Sequence, residues 1–399
     1  MYIERDITRT FKLLSETHKI VAVVGPRQAG KTTFLKEQLA GIPNSQYIYM
    51  DDPDSRKLFN EDIKKFEMMY VQDKSVTVID EVQLCDNPGM GLKYLADSGH
   101  RLWITSSSQI LLEKKVISLL VGRVGILNLY QFSMNEFFRA KGLKEYVDSM
   151  FERAIWENIS FGGYPEVILE ENIEKKKLIL KNLFSTILLK DAVSMFSINE
   201  QGILEDLAKY FSFNNGLLVS YENVANELKI SFQTLKKYID ALEKSYIIRK
   251  VRPFFTNKSK ELVKQPKIYF LDTGLANAAS SDFSFIPEKN GALFESYVLS
   301  ELVKNGFNPK YWRTKGDAEV DFIIELEKEI IPIEVKIFSD GKTVGKSIYS
   351  FIEDYEARNA YIVFFKGEKG EKISGKTNIR FLRIDELITA LTKKEKRTK

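Results

Sequence analysis

The chain has 399 residues, 44% of them hydrophobic and 29% charged, the make-up of a folded soluble protein of about two to four domains and not of a disordered or membrane-embedded one. One cysteine, Cys85, rules out an internal disulfide, and two histidines, His18 and His100, leave no set for a structural zinc site; a metal would fall to carboxylates and phosphates, as Mg²⁺ or Mn²⁺ does. The net charge is only +4, but Leu217 to Lys264 holds ten Lys or Arg against five Asp or Glu, so one stretch is basic and the rest near neutral.

The N-terminus MYIERDITR is charged from its fourth residue. The apolar runs Ile20 to Val24 and Val116 to Leu120 fall far short of the roughly 18 residues a spanning helix needs, so the sequence reads as cytoplasmic with no membrane partner. Ile20 to Val24 leads into GPRQAGKT, Gly25 to Thr32, and then into the helical TFLKEQLA. Strand, glycine loop and helix are the context a phosphate-binding loop requires. Gly25 and Gly30 let backbone N–H groups close around phosphate oxygens, Lys31 brings a point charge to the β- and γ-phosphates, and Thr32, followed by Thr33, starts the helix with a hydroxyl for Mg²⁺. ATP with Mg²⁺ is the expected ligand.

Next comes VTVIDEVQ, Val76 to Gln83, a buried-type strand ending in two acids. Asp80 suits the metal through water, and Glu81 is placed to polarise the attacking water. An acid pair is also a common strand end; the loop some fifty residues upstream gives it meaning. A third strand, RLWITSSS, Arg101 to Ser108, ends in hydroxyls, with Ser106 or Ser107 as the γ-phosphate sensor. Arg123, beside Gly122, reads either as a surface arginine in a turn or as a residue completing a neighbouring subunit's site, which would make the protein a homo-oligomer.

Residues from about Phe132 to Phe196 read as helices, broken by FGGYPEV at Phe161 to Val167; this turn and the pair Lys190-Asp191 suit an interdomain joint. From Leu217 to Phe255 the pattern is a winged helix-turn-helix. Ser220 caps a short helix with Val224 and Leu228 inward. A second helix from Ser231 has Phe232, Leu235, Tyr238, Ile239 and Leu242 on its apolar side, and YIIRKVRPF forms a strand. Its exposed residues Gln233, Thr234, Lys236 and Lys237 are of the type that reaches a DNA groove, although the same fold also serves protein contacts.

Near the C-terminus the order is a helix bearing Glu295, strands YWRT, AEVDFIIEL and IIPIEVKIF, a helix, and strand AYIVFF. Asp321 lies in one strand. Glu334 and Lys336, flanking Val335 in the next, share a face because strand side chains alternate. Two carboxylates can hold Mg²⁺, or Mn²⁺, with the lysine acting on its water and Glu295 as a third acid. A solvated strand edge with EVK would look alike. The tail KKEKRTK, Lys393 to Lys399, reads as a frayed terminus.

Gly25 to Thr33, Asp80 to Gln83, Thr105 to Ser108 and Gly122-Arg123 resemble the AAA-like ATPases of prokaryotes, within them the family that couples this domain to a C-terminal restriction-endonuclease-like domain. GGYPE, Lys190-Asp191 and FLDTGLAN, Phe270 to Asn277, also match it, and Ser106 stands where the family usually has glycine. The resemblance implies a PD-(D/E)xK site of Asp321, Glu334 and Lys336, with Glu295 as its helical acid. The expectation is an α/β multidomain chain: a P-loop ATPase domain over residues 1–140, a helical connection over 141–205, the winged helix over 206–264 and a nuclease-like α/β domain over 265–399. Its function would be ATP-driven control of DNA binding and cleavage, or, as a rival, a nucleotide-gated switch that binds DNA or a protein partner and has a non-cutting C-terminal domain.

Overall fold

The computed structural model describes residues 2–107, 119–120, 122–145, 147–193, 198, 200–257, 259, 261, 264–327 and 329–398. Ser108, much of the run from Val116 to Leu120, and the side chains of Lys190 and Asp191 lie outside them.

The first five strands are β1 (Ile20–Val24), β2 (Gln46–Tyr49), β3 (Thr77–Asp80), β4 (Leu102–Ser106) and β5 (Val124–Asn128). They form a parallel sheet in the order β2-β3-β4-β1-β5. Every residue of β1 is buried, as a parallel strand covered on both faces must be. Ile20, Ala22 and Val24 enter one apolar core and Val21 and Val23 the other, the period of two that a strand imposes. The sheet order puts β4 between the strand leading to the glycine loop and the strand ending in Asp80. All three carboxyl ends therefore open on one edge.

Four helices follow, Met134–Ala140, Asp148–Phe161, Pro165–Leu169 and Ile173–Thr186. Then come Gln201–Phe213 and the pair Tyr221–Glu227 and Phe232–Lys244, capped by Ser220 and Ser231. Leu235, Tyr238, Ile239 and Leu242 are buried as their spacing predicts, but Phe232 is 50% exposed: it is the first residue of its helix, before a full turn exists to bury it. Strand β6 (Ile248–Val251) pairs antiparallel with β7 (Lys267–Phe270). A boundary at 264 thus cuts through a two-stranded sheet.

The helix Gly291–Lys304 leads to β8 (Lys310–Arg313), β9 (Glu319–Leu326), β10 (Glu329–Asp340), β11 (Asn359–Glu368), β12 (Gly370–Ser374) and β13 (Thr377–Leu382), in the sheet order β12-β13-β11-β10-β9-β8. The basic tail is not frayed as far as it is described: helix Ile384–Thr398 carries it, and Lys394 pairs with Glu329 at 2.8 Å.

One continuous apolar core runs from Ile3 through Phe137, Leu204, Leu242 and Phe294 to Leu391, so the helical middle, the helix pair Tyr221–Glu227 and Phe232–Lys244, and part of the C-terminal sheet are buried against one another. At its centre the motifs GGYPE and FLDTGLAN meet. Asp272, fully buried, accepts from Gly163 N at 2.7 Å and caps the helix Thr273–Ser280 through Leu275 N at 3.0 Å. Gly162 has φ +72°, and a Cβ there would lie 2.1 Å from Asp272 Oδ1, so both its dihedral and its surroundings require glycine. Among the described residues no helix is long and apolar enough to cross a membrane.

Candidate functional site

The glycine loop joins β1 to the helix Lys31–Leu39. Gly30 has φ +94°, and a Cβ on Gly25 would lie 1.9 Å from Leu129 O, so one glycine is fixed by its dihedral and the other by close packing. Lys31, 5% exposed, donates to Gly25 O at 3.0 Å and Pro26 O at 2.9 Å. Thr32 Oγ1 donates to Asp80 Oδ2 at 3.0 Å, which brings the helix hydroxyl and the strand-end carboxylate to one point. That pair is the donor set Mg²⁺ takes beside phosphates. Thr33 follows in the first helical turn.

Asp80 is buried, and its other oxygen accepts from Thr105 Oγ1. Thr105 in turn accepts from Glu81 N at 2.8 Å. Glu81 has φ +56°, a left-handed conformation costly for glutamate and characteristic of functional sites. It turns its carboxylate toward Ser107, whose Oγ donates to Glu81 Oε2 at 3.1 Å, while Gln83 Nε2 donates to the same oxygen and to Ser107 at 3.1 Å. Burial pushes the Glu81 carboxyl up, but Lys31, Gln83, Arg27 and Ser107 together outweigh it and hold it below the ordinary carboxylate range. Of the two serines, Ser107 is the one whose hydroxyl faces Glu81. Tyr47 lies beside Asp80 and Thr32; burial first, and the Asp80 charge next, push its phenol up.

Arg123 stands at the opposite edge of the sheet. Its carbonyl accepts from Ile20 N at the start of β1 and its guanidinium pairs with Asp97 at 2.7 Å, so it takes no part in its own chain's site.

On the helix Phe232–Lys244, Gln233, Lys236 and Lys237 are exposed. Thr234 departs from the expectation: it is half-buried, and its hydroxyl and N–H are tied to the Ser231 cap at 2.8 and 3.0 Å.

The C-terminal acids gather where β9 and β10 meet the helix Gly291–Lys304. Asp321 Oδ2 accepts from Val335 N at 2.7 Å, Lys336 Nζ lies 3.3 Å from Glu334 Oε1, and Glu334 Oε2 is buried with no hydrogen-bond partner. Gly345 makes room for that carboxylate, since a Cβ there would lie 2.6 Å from Glu334 Oε1. Shielding from water, then the charge of Glu295, pushes Asp321 well above its ordinary range. Glu295 also accepts from Tyr269 OH at 2.5 Å, with Lys267 Nζ at 3.6 Å. Lys267, from β7 and 4% exposed, also pairs with Glu319. Burial acts to lower its pKa, but Glu295, Asp321 and Glu319 outweigh that and raise it. Glu295, Asp321 and Glu334 therefore do not form one set of three ligands. Glu295 faces a lysine, and among the described residues no group of three His, Cys, Asp or Glu could hold an ion.

The phosphate loop, the acids at the end of β3 and the parallel sheet define the N-terminal part as a P-loop ATPase domain. An AAA domain model matches residues 17–138, and two domains of unknown function follow, DUF8612 over 152–285 and DUF4143 over 290–387. An uncharacterized protein of Methanocaldococcus jannaschii is 29% identical over 402 residues, covering 93% of this chain and 87% of that one. Another, of Haemophilus influenzae, is 25% identical and covers 80% and 83%. Among solved structures, the Walker-type ATPase of Pyrococcus abyssi aligns with 70% of this chain and 96% of its own at a TM-score of 0.46 and 16% identity.

Proposed function

We propose that this chain is an ATP-hydrolysing, DNA-associated switch, in which the nucleotide state of the N-terminal site controls the winged-helix segment and the C-terminal domain. The observation that carries the reading is Glu81: a carboxylate kept charged, turned by a left-handed backbone and aimed by Ser107 and Gln83, one residue beyond the Asp80 that Thr32 bonds. Lys31 would exchange the carbonyls of Gly25 and Pro26 for β- and γ-phosphate oxygens, and Gly25, Gly30 and Thr33 would shape the backbone around them. Thr32 and Asp80 would hold Mg²⁺, which when bound offsets charge on the phosphates. Glu81 would accept a proton from water in line with the γ-phosphate, with Ser107 reporting on that phosphate. The basic excess of residues 217–264 and the exposed Gln233, Lys236 and Lys237 support DNA as the partner. ATP turnover measured with and without duplex DNA tests this; equal rates for wild type and Glu81→Gln would remove Glu81 from the role.

A second reading, DNA cleavage by a restriction-endonuclease-like C-terminal domain, is favoured by the buried, partnerless Glu334 Oε2 close to Lys336 and Asp321. Incubating plasmid with the full chain and Mg²⁺ or Mn²⁺, with and without ATP, decides between a cutting and a non-cutting domain.

A further inference from the structure

Outside the ATPase motifs, Arg5 reaches the phosphate loop from behind. It is 5% exposed. Its Nη1 donates to Ala29 O at 2.8 Å, its Nη2 to Tyr130 O at 2.7 Å, and its Nε lies 3.0 Å from Glu136 Oε1. The guanidinium covers the Phe132 ring at 4.9 Å and lies 3.5 Å from where a Cβ on Gly30 would be. An arginine cannot discharge by losing its proton, so a buried one is held in place by every partner it has.

The segment that receives Arg5, residues 129–136, is held at both ends. Toward the loop, Leu129 N donates to Val24 O at 2.7 Å, and Leu129 O packs on Gly25. Away from it, Glu136 accepts from Asp6 N at 2.7 Å and Ser133 N at 3.0 Å. Met134 N donates to Glu301 Oε2 at 2.9 Å, Lys304 Nζ donates to Phe132 O at 2.9 Å, and Lys304 pairs with Glu301 at 3.0 Å. Glu136 and Glu301 are 3% and 1% exposed. Glu301 and Lys304 belong to the helix that carries Glu295, six residues before Glu301.

We propose that Arg5 is a positioning residue for the phosphate loop and that, through Glu136 and residues 129–136, it couples the loop to the Glu301-Lys304 seat of the helix bearing Glu295. A shift of the loop as phosphate enters would strip Arg5 of buried partners unless the segment moved too, and the segment cannot move without disturbing Glu301 and Lys304. The coupling rests on the reading of the loop as an ATP site, and it gives that reading a route to the C-terminal domain.

The test uses the full chain with Arg5→Lys, which keeps the charge but loses the fork, with Glu301→Gln, and with both. Amide hydrogen exchange over residues 27–33 is followed without nucleotide, and ATP affinity and turnover are measured in parallel. Exchange of the loop in Arg5→Lys rises about tenfold, the scale of one lost charge-assisted hydrogen bond. Glu301→Gln, which does not touch the loop, raises it about threefold, and the double variant falls short of the product. ATP affinity drops by similar factors while turnover at saturating ATP changes less. Loop exchange unchanged by Glu301→Gln, or effects that multiply in the double variant, overturns the coupling. If Arg5→Lys does not fold, Glu301→Gln alone carries the test. A wild type that binds no ATP, with loop exchange still responding to Glu301→Gln, removes the ATP reading and leaves the coupling standing.

Discussion

Replacing Asp272 probes the joint where the helical middle meets the C-terminal half. Its carboxylate binds both elements, Oδ2 taking Gly163 N at 2.7 Å and Oδ1 taking Leu275 N at 3.0 Å. Asp272→Ala removes a helix cap, worth about 1 kcal/mol, and leaves the buried Gly163 N–H unpaired, worth about 1–3 kcal/mol. The expected loss is about 2–4 kcal/mol. Asp272→Asn keeps one acceptor oxygen and turns an NH₂ toward the other donor, so it costs roughly half as much. Burial pushes the Asp272 carboxyl up despite Lys304 and its backbone donors, so the loss of formal charge does not add to that figure. Urea unfolding followed by fluorescence reports the difference, because Trp156 stands on the helix Asp148–Phe161 and donates to Phe285 O at 2.9 Å. An alanine variant no less stable than the asparagine variant, at equal m-values, would refute the cap-and-bridge role.

Lys31→Ala is expected to abolish tight ATP binding, while Glu81→Gln retains binding and lowers turnover by about 10²–10⁴-fold, the range for a lost general base; ligand titration beside steady-state turnover separates the two. Because Glu81 is held below the ordinary carboxylate range, its charged form persists as pH falls through that range and is lost only below it. Turnover should therefore show no carboxylate-like decline between about pH 8 and 5, and an acidic limb with a midpoint above about 4.5 assigned to Glu81 would contradict this. Removing Lys236 and Lys237 together should flatten the slope of log DNA affinity against log salt by about two, and an unchanged slope places the contact elsewhere. If the C-terminal domain cuts, Asp321→Ala, Glu334→Ala and Lys336→Ala each end cleavage and spare ATP turnover; cutting that survives all three points to another site.

What could be read in advance was what covalent spacing fixes. Gly25 to Gly30 must form a loop between strand and helix, and Asp80 and Glu81 must end a strand, because a few adjacent residues dictate both. Thr105 could not be singled out in that way: a threonine in a strand has no spacing signature, and its bond to Asp80 exists because β4 lies beside β3. Lys267 was hidden for the same reason. It comes from a strand paired with β6, yet its ammonium enters an acid set contributed by residues 295, 319 and 321. Helical periodicity points Phe232 inward, but that periodicity holds only once a helix has neighbours on both sides. GGYPE and FLDTGLAN were each visible as motifs, but their meeting around Asp272 depends on contacts more than a hundred residues apart.

The anchoring of Arg5 also bears on how the protein is made. Asp6 and Glu136 are 130 residues apart, and Met134 and Glu301 a further 167. During synthesis the glycine loop leaves the ribosome well ahead of the residues that brace it, and the last brace arrives roughly 10–30 s after the segment it holds, at the usual rate of about 5–20 residues per second. A nascent chain thus carries the whole phosphate-binding motif before it carries the means to set it, so nucleotide capture would be deferred until most of the protein has emerged.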